Sequence, residues 1–368
     1  MTEMNHNIDA QLMQRAIELA RLGVGKTNPN PMVGAVIVKE GRIIGEGYHQ
    51  CIGGLHAERN ALASCTEDPT GATMYVTLEP CCHYGKTPPC TEAILENHIA
   101  HVVIGSRDPN PKVAGKGAAL LRQAGVTVTE DFLREECDAL NPVFFHYIQN
   151  KTPYVALKYA MTADGKIAVN SGASQWITEE EARTHVHQLR NYYKGILVGI
   201  GTVLQDDPLL TCRLPQGRNP IRIICDSHLR IPLDSQLCNT ASEIPLIVAC
   251  IDDPEGKQQA LEEKGVQVLY VEEKNGQLDL QDLLKKLGEQ EIDGLLVEGG
   301  GTINAAFINA GQVHHIYAYI GAQIFGGTTP FTPVSGTGIE AVSDSLKLTN
   351  PQIQTFGPDV LLEYDVRR

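Results

Sequence analysis

Three metal-binding side chains, His56, Cys81 and Cys90, constrain this chain more than any other feature of its sequence. A catalytic zinc takes three protein ligands from histidine nitrogen and cysteine sulfur and leaves its fourth tetrahedral position to water. The first donor stands in His56-Ala57-Glu58, and the second in Pro80-Cys81, directly after a β-branched apolar run at Thr73 to Leu78. Cys90 follows Pro88-Pro89, a helix-start signal, because proline is tolerated where the first amides lack partners. A thiol at a helix N-terminus has its thiolate stabilised, which suits it to Zn2+.

The zinc deaminases carry H-x-E followed by P-C-x-x-C. The first part is intact here, whereas the second departs from the pattern: the next cysteine ligand is Cys90, so HYGKTPP becomes an insertion that carries contacts to substrate. Glu58 sits two residues after His56, where helical side chains diverge, which argues for general acid/base work rather than metal ligation. A lone H-x-E occurs by chance and a lone cysteine pair more often packs in a core. Together, and in this order, they point to zinc-dependent deamination. Cys82 is the competitor of Cys81, although adjacent strand-end residues point opposite ways and only one should face the metal. His83 competes less well and reads as a substrate contact. A structural zinc would instead close with four protein ligands, recruiting Cys82 or His83.

The chain has 368 residues, which at roughly 150 residues per domain predicts two domains, each large enough for its own core. No signal peptide and no stretch of about 18 apolar residues is present, so a cytoplasmic protein without a membrane partner is expected. Ten cysteines scattered through such a chain are expected to be reduced. The net charge is −14, and both parts share the acidity: Lys+Arg 12 against Asp+Glu 17 up to residue 150, then 18 against 27. Neither has the basic excess of a protein that tracks a phosphate backbone, so a nucleic-acid partner is not expected. Local basic residues can still bind a small phosphorylated ligand. A homo-oligomer is compatible with the sequence, which does not specify one.

Alternation of strands and helices places both parts in the α/β class. The pattern predicts a helix over 9–23, strands at 33–38 and 42–47, a helix from about His56, strands at 73–78 and 102–104, and a helix over 90–99. The boundary falls near residue 150, giving domains 1–150 and 151–368. Beyond it, strands are predicted at 154–159, 195–199, 221–225, 246–250, 266–271, 294–297 and 315–320, with helices around 179–193, 254–264, 279–290 and 302–310. In the second domain, Glu298-Gly-Gly-Gly-Thr302 follows an apolar strand and opens a helix, where backbone amides can cradle a phosphate. It lacks the G-x-G-x-x-G spacing of a dinucleotide fingerprint. Trp176, the single tryptophan, lies in a polar stretch and reads as a partly buried anchor or a cofactor contact.

The segments TNPNPMVG (27–34), GEGYHQCIGGLHAE (45–58), TLEPCCHYGKTPPC (77–90) and RDPNPKVAGKG (107–117) resemble the deaminase part of the bifunctional riboflavin-biosynthesis deaminase/reductases. KYAMTADGKIA (158–168), SGASQWIT (171–178), GIGTVLQDDPLLTCR (199–213) and VEGGGTINAAF (297–307) extend the resemblance over nearly the whole chain.

What the resemblance implies is a cytidine-deaminase-like three-layer α/β/α domain followed by a dihydrofolate-reductase-like α/β domain. It implies deamination of 2,5-diamino-6-ribosylamino-4(3H)-pyrimidinone 5′-phosphate, then NADPH-dependent reduction of its ribosyl group to ribityl. His56, Cys81 and Cys90 would be zinc ligands and Glu58 the proton carrier, with Asn30, His49, His83, Lys86 and Asp108 around the phosphoribosyl pyrimidine. Ala160, Trp176, Thr202, Asp206, Ser227, Gly300, Gly301 and Thr302 fall at NADPH positions. Lys158, Ser174, Arg190, Leu210, Arg213 and Glu298 fall at positions for the reductase substrate. Arg190 and Arg213 suit a 5′-phosphate because guanidinium pairs bidentately with phosphate oxygens. Lys158 and Asp164 are candidates for protonation or positioning, and Ser227 with Arg230 suggests a 2′-phosphate site.

Overall fold

The computed structural model describes residues 2–85, 88–111, 113–328 and 331–367, with side chains from Asn7 onward. Lys151 closes one compact unit and Thr152 opens a second, each built on its own sheet.

The first unit runs α1 (Thr2–Arg21), β1 (Gly34–Lys39), β2 (Arg42–Tyr48), α2 (Ala57–Ala63), β3 (Thr73–Leu78), α3 (Cys90–Glu96), β4 (His101–Ser106), α4 (Lys116–Gln123), β5 (Thr127–Thr129), α5 (Arg134–Asp138) and α6 (Pro142–Asn150). Its five strands lie in the order β2-β1-β3-β4-β5, antiparallel at β2-β1-β3 and parallel at β3-β4-β5. The apolar run that makes β3 is buried from Met74 to Leu78, as expected of a central strand covered on both faces.

Two strand glycines reveal where the helices sit. A Cβ on Gly34 would stand 1.9 Å from the Ala16 carbonyl oxygen of α1, and one on Gly47 would stand 2.2 Å from the Ala61 amide of α2. Gly34 pairs with Tyr48 and Gly47 with Ala35, so these neighbouring positions point to opposite faces. Helices α1 and α2 therefore cover opposite faces of one sheet, which is the three-layer arrangement.

The second unit runs β6 (Tyr154–Thr162), α7 (Glu180–Tyr192), β7 (Gly195–Gly199), α8 (Ile200–Asp206), β8 (Ile221–Cys225), α9 (Gln236–Asn239), β9 (Leu246–Cys250), α10 (Gln258–Glu263), β10 (Val266–Tyr270), β11 (Glu273–Lys274), β12 (Gln277–Leu278), α11 (Leu280–Glu289), β13 (Gly294–Val297), α12 (Gly301–Asn309), β14 (His315–Gly321), β15 (Leu348–Phe356) and β16 (Asp359–Val366). Nine strands form one sheet, ordered β10-β9-β8-β7-β13-β6-β14-β16-β15, parallel from β10 to β14 and antiparallel for the last two. Alternate residues feed two cores: Leu197 and Ile223 join one, and Ile196, Val198 and Ile224 the other. Arg222 shares the second face and is fully buried. Among the described residues no carboxylate pairs with it; it donates to Thr240 Oγ1 and to the Leu237, Thr240 and Ile244 carbonyls, satisfying the end of α9.

The strands predicted at 73–78, 195–199, 221–225, 246–250 and 294–297 coincide with β3, β7, β8, β9 and β13. The helix predicted over 254–264 is shorter because Asp253 accepts from the Lys257 and Gln258 amides and holds a turn until α10 begins. The hairpin β15-β16 was not expected from the pattern. Asn350-Pro351 reads as a turn, and proline fits here because β15 is an edge strand whose register shifts between Thr349 and Gln352.

Replacing Gly47 by alanine drives a methyl group into the backbone of α2. We predict a loss of about 1–3 kcal/mol, the range for overpacking a closed site, read as a lower urea midpoint for the first unit.

Candidate active sites

In the first unit, helix starts and a strand end converge. His56 is the residue before α2, Glu58 lies in its first turn, Cys81 follows β3, and Cys90 is the first residue of α3. Cys81 Sγ and Cys90 Sγ lie 3.5 and 3.3 Å from His56 Nδ1. The Cys90 amide donates to Cys81 Sγ at 3.3 Å. The three donor atoms all lie within 4.8 Å of one another. Bonds of about 2.3 Å to sulfur and 2.0–2.1 Å to nitrogen let one zinc reach all of them. Neither Cys82 nor His83 belongs to that cluster, so among the described residues no fourth ligand closes it.

Glu58 is 3% exposed and hydrogen bonded with Cys90. Burial pushes its carboxyl above the ordinary range, the charge of Cys81 adds to this, and His56 opposes it. His49 packs edge-on to His56 with ring centroids 5.4 Å apart. His49 Nδ1 donates to the Leu55 carbonyl at 3.0 Å, leaving Nε2 to accept from Asn30 Nδ2 at 3.2 Å. Asp108 accepts from the Asn110 amide, and burial raises its carboxyl to about 6, with Glu79 and Cys81 adding to the rise. His83 Nδ1 is buried without a hydrogen-bond partner among the described residues. Lys86 lies outside the described residues.

Two further residues hold the metal-binding segments, and nothing in the sequence reading singled them out. Arg59 donates from Nε to the Pro88 carbonyl at 3.2 Å and from Nη2 to the Pro89 carbonyl at 2.8 Å, tying α2 to the segment ahead of Cys90. Glu79 is buried and accepts from the Gly115 and Ala118 amides, tying the segment ahead of Cys81 to the start of α4. A charged residue directly beside a metal motif was the available signal in both cases.

In the second unit the candidate residues gather at the carboxyl ends of neighbouring parallel strands, where α/β sheets bind ligands. Thr202 and Asp206 lie on α8 just after β7, Ser227 just after β8, and Glu298 to Thr302 just after β13. Arg190 Nε and Nη2 donate to the two Glu298 oxygens at 2.7 and 3.0 Å, and Lys158 Nζ lies 3.6 Å from the same carboxylate. Burial pushes the Glu298 carboxyl up, yet Arg190 and Lys158 outweigh it and hold it at about 2. Lys158 is pushed down by burial against the pull of Glu298. Removing Arg190 would leave a buried carboxylate short of its main partner, a loss of about 3–5 kcal/mol.

Arg190 is thus engaged with protein, whereas Arg213 is exposed. The Leu210 side chain is buried in the apolar core, so only its backbone can meet a ligand. Trp176 is 58% exposed, with the Arg183 guanidinium 4.7 Å above its ring. Asp164 does not join the Lys158 cluster: Thr162 foremost, with the Phe325 and Gly326 amides, hydrogen bonds its carboxylate and holds it at about 2. Ala160 and Ser174 are partly exposed.

The three glycines at the start of α12 differ. A Cβ on Gly299 would meet the Ile303 side chain at 1.4 Å, and one on Gly301 the Thr332 carbonyl at 2.4 Å. Among the described residues, nothing stands within 4 Å of a Cβ built on Gly300 and no side chain caps the helix start behind it. That open backbone suits a cofactor phosphate.

A His-Cys-Cys centre beside a buried glutamate on one α/β unit, followed by an α/β unit with charged and glycine-rich segments after its parallel strands, is the arrangement of the two-domain deaminase/reductase class. Residues 6–106 match the cytidine and deoxycytidylate deaminase zinc-binding region, and residues 153–362 match the RibD C-terminal domain. The riboflavin biosynthesis protein RibD of Actinobacillus pleuropneumoniae is 54% identical over 97% of this chain and 95% of its own. That of Escherichia coli is 39% identical over 96% and 98%. Acinetobacter baumannii RibD superposes with a TM-score of 0.89 at 34% identity, covering 99% of this chain and 100% of its own. A Thermotoga maritima diaminohydroxyphosphoribosylaminopyrimidine deaminase/5-amino-6-(5-phosphoribosylamino)uracil reductase gives 0.87 at 40% identity, with the same coverage. The chain belongs to the RibD family.

The three-donor cluster makes a prediction about metal content. Purified protein should carry about one zinc per first unit, and Cys81→Ser and Cys90→Ser should each lower that content sharply while Cys82→Ser retains it. Elemental analysis after dialysis decides the matter.

Proposed function

We propose that this chain carries out two consecutive steps of riboflavin biosynthesis. The first unit deaminates 2,5-diamino-6-ribosylamino-4(3H)-pyrimidinone 5′-phosphate by hydrolysis, and the second reduces the ribosyl group to ribityl with NADPH. The observation that carries the reading is the convergence of His56, Cys81 and Cys90 beside the buried Glu58. The lysine, arginine and glutamate gathered in the second unit support the second activity. The ten cysteines are thiols, which fits a reducing, cytoplasmic compartment.

In the deaminase, His56, Cys81 and Cys90 hold the zinc, which when bound supplies Lewis-acid activation of water near neutral pH. Glu58 takes one proton of the attacking water and delivers it to the ring nitrogen, then takes the second from the hydroxyl so formed on carbon and delivers it to the amino group, so the C–N bond breaks, ammonia leaves and the carbonyl forms. A carboxyl raised by burial is suited to holding that proton between transfers. Asn30, His49 and Asp108 orient the pyrimidine and its sugar, and His83 Nδ1, which has no hydrogen-bond partner among the described residues, is available to the ligand. Lys86, two residues ahead of Pro88, is assigned to the same substrate by sequence alone.

In the reductase, Ala160, Trp176, Thr202, Asp206, Ser227 and the turn from Gly300 to Thr302 bind NADPH, which when bound supplies the hydride. The C1–O4 bond of the sugar opens as C1 gains the hydride, and the released oxygen needs a proton. Lys158 holds one at Nζ, beside Glu298. Ser174 and the Leu210 backbone contact the sugar. With Arg190 engaged by Glu298, Arg213 is the guanidinium that meets the 5′-phosphate.

An assay with the diaminopyrimidine substrate, zinc and NADPH, following ammonia release and NADPH loss separately, tests both steps. Glu58→Gln should keep its zinc and lose ammonia release by about a hundredfold to ten-thousandfold, the contribution of a positioned proton carrier. Near-normal turnover in that variant would remove Glu58 from the role.

A further inference from the structure

We infer that His187 is a positioning residue for Arg213, holding that guanidinium by its Nε so that both Nη groups are presented to the substrate's 5′-phosphate. The inference rests on the reading above that Arg213 meets this phosphate.

His187 and Arg190 are three residues apart on α7 and so share one face of the helix. Both reach the segment ahead of Arg213. Arg190 Nη1 donates to the Thr211 carbonyl at 3.0 Å, the His187 ring is hydrogen bonded to the same residue's backbone, and the Cys212 thiol lies 3.4 Å from the His187 carbonyl. Arg213 Nε then donates to His187 Nε2 at 3.1 Å. An imidazole accepts only when neutral. Burial, aided by the charges of Arg190 and Arg213, pushes His187 down to about 4, so it stays neutral at physiological pH.

The contact uses Nε, the guanidinium nitrogen that an end-on grip on phosphate through both Nη groups leaves free. The Nη atoms of Arg213 have no hydrogen-bond partner among the described residues, and the side chain is otherwise exposed. An arginine on a flexible stem loses rotamer freedom when it binds an anion. One already held by a neighbour loses less, and the difference appears as affinity.

The test is a double-mutant cycle on NADPH oxidation with the deaminated phosphoribosyl substrate, using the full chain. Arg213→Ala should raise KM by about tenfold, the cost of a charge-assisted hydrogen bond. His187→Leu should raise KM by about three- to tenfold and change kcat by less than about twofold, because uniform binding is lost rather than transition-state stabilisation. His187→Gln, whose side-chain carbonyl accepts from Nε, should restore KM. Combining His187→Leu with Arg213→Ala should add nothing to Arg213→Ala alone.

If Arg213→Ala raises KM while His187→Leu does not, or if the two effects multiply in full, the role of His187 is overturned and Arg213 keeps its own. A fall in kcat in His187→Leu without rescue by glutamine marks a structural role and equally overturns it. An unchanged KM in Arg213→Ala removes the phosphate reading and this inference together.

Discussion

Helix α2 lies directly on β2 only because the strand offers bare backbone at Gly45 and Gly47, and the whole metal-binding arrangement hangs from that contact. The helix begins just after His56 and carries Glu58 in its first turn, so its distance from the sheet sets where these two side chains stand. From its next position Arg59 grips two carbonyls ahead of Cys90, and the Cys90 amide in turn donates to Cys81 Sγ. On the far side Glu79 locks the segment ahead of Cys81 to α4. Three ligands from distant parts of the chain thereby share one chain of backbone contacts, which is how a site achieves precision without a tight sequence motif.

The second unit solves a different problem. A buried ion pair contributes little to stability compared with apolar packing, because both charges must leave water. Glu298 nevertheless faces both Arg190 and Lys158, and the three charges do not cancel: one positive charge remains before Arg213 is counted. In a chain with net charge −14, this is a local reversal of sign at the carboxyl ends of the strands. Such a place favours an anionic ligand by electrostatics while the surrounding surface disfavours a long polyanion.

Much of this was legible in sequence, and the limits have physical causes. Buried strands such as β7, β8 and β9 are short apolar runs between turn residues, so their ends coincide with prediction. The edge hairpin β15-β16 was hidden because β15 is solvent-exposed and carries Pro351, which removes the alternation that marks a half-buried strand. The cluster of His56, Cys81 and Cys90 was readable because few residue types bind zinc. Its supports, Arg59 and Glu79, were not, since both act on backbone carbonyls and amides that any sequence supplies. The resemblance gives Arg190 a place at the reductase substrate, and guanidinium chemistry suits that substrate's phosphate. Only the fold places Glu298 against it, 108 residues away in the chain.

The three glycines at the start of α12 look interchangeable on the page of the sequence, yet they are under unlike demands. Gly299 is fixed by a side chain four residues on, and Gly301 by the Thr332 carbonyl that crosses it. Gly300 has an ordinary negative φ and, among the described residues, no neighbour where its side chain would be. Variation among descendants of this sequence is therefore free to enter the turn at one position. Gly300 is thus the position in this turn at which a side chain disturbs the fold least.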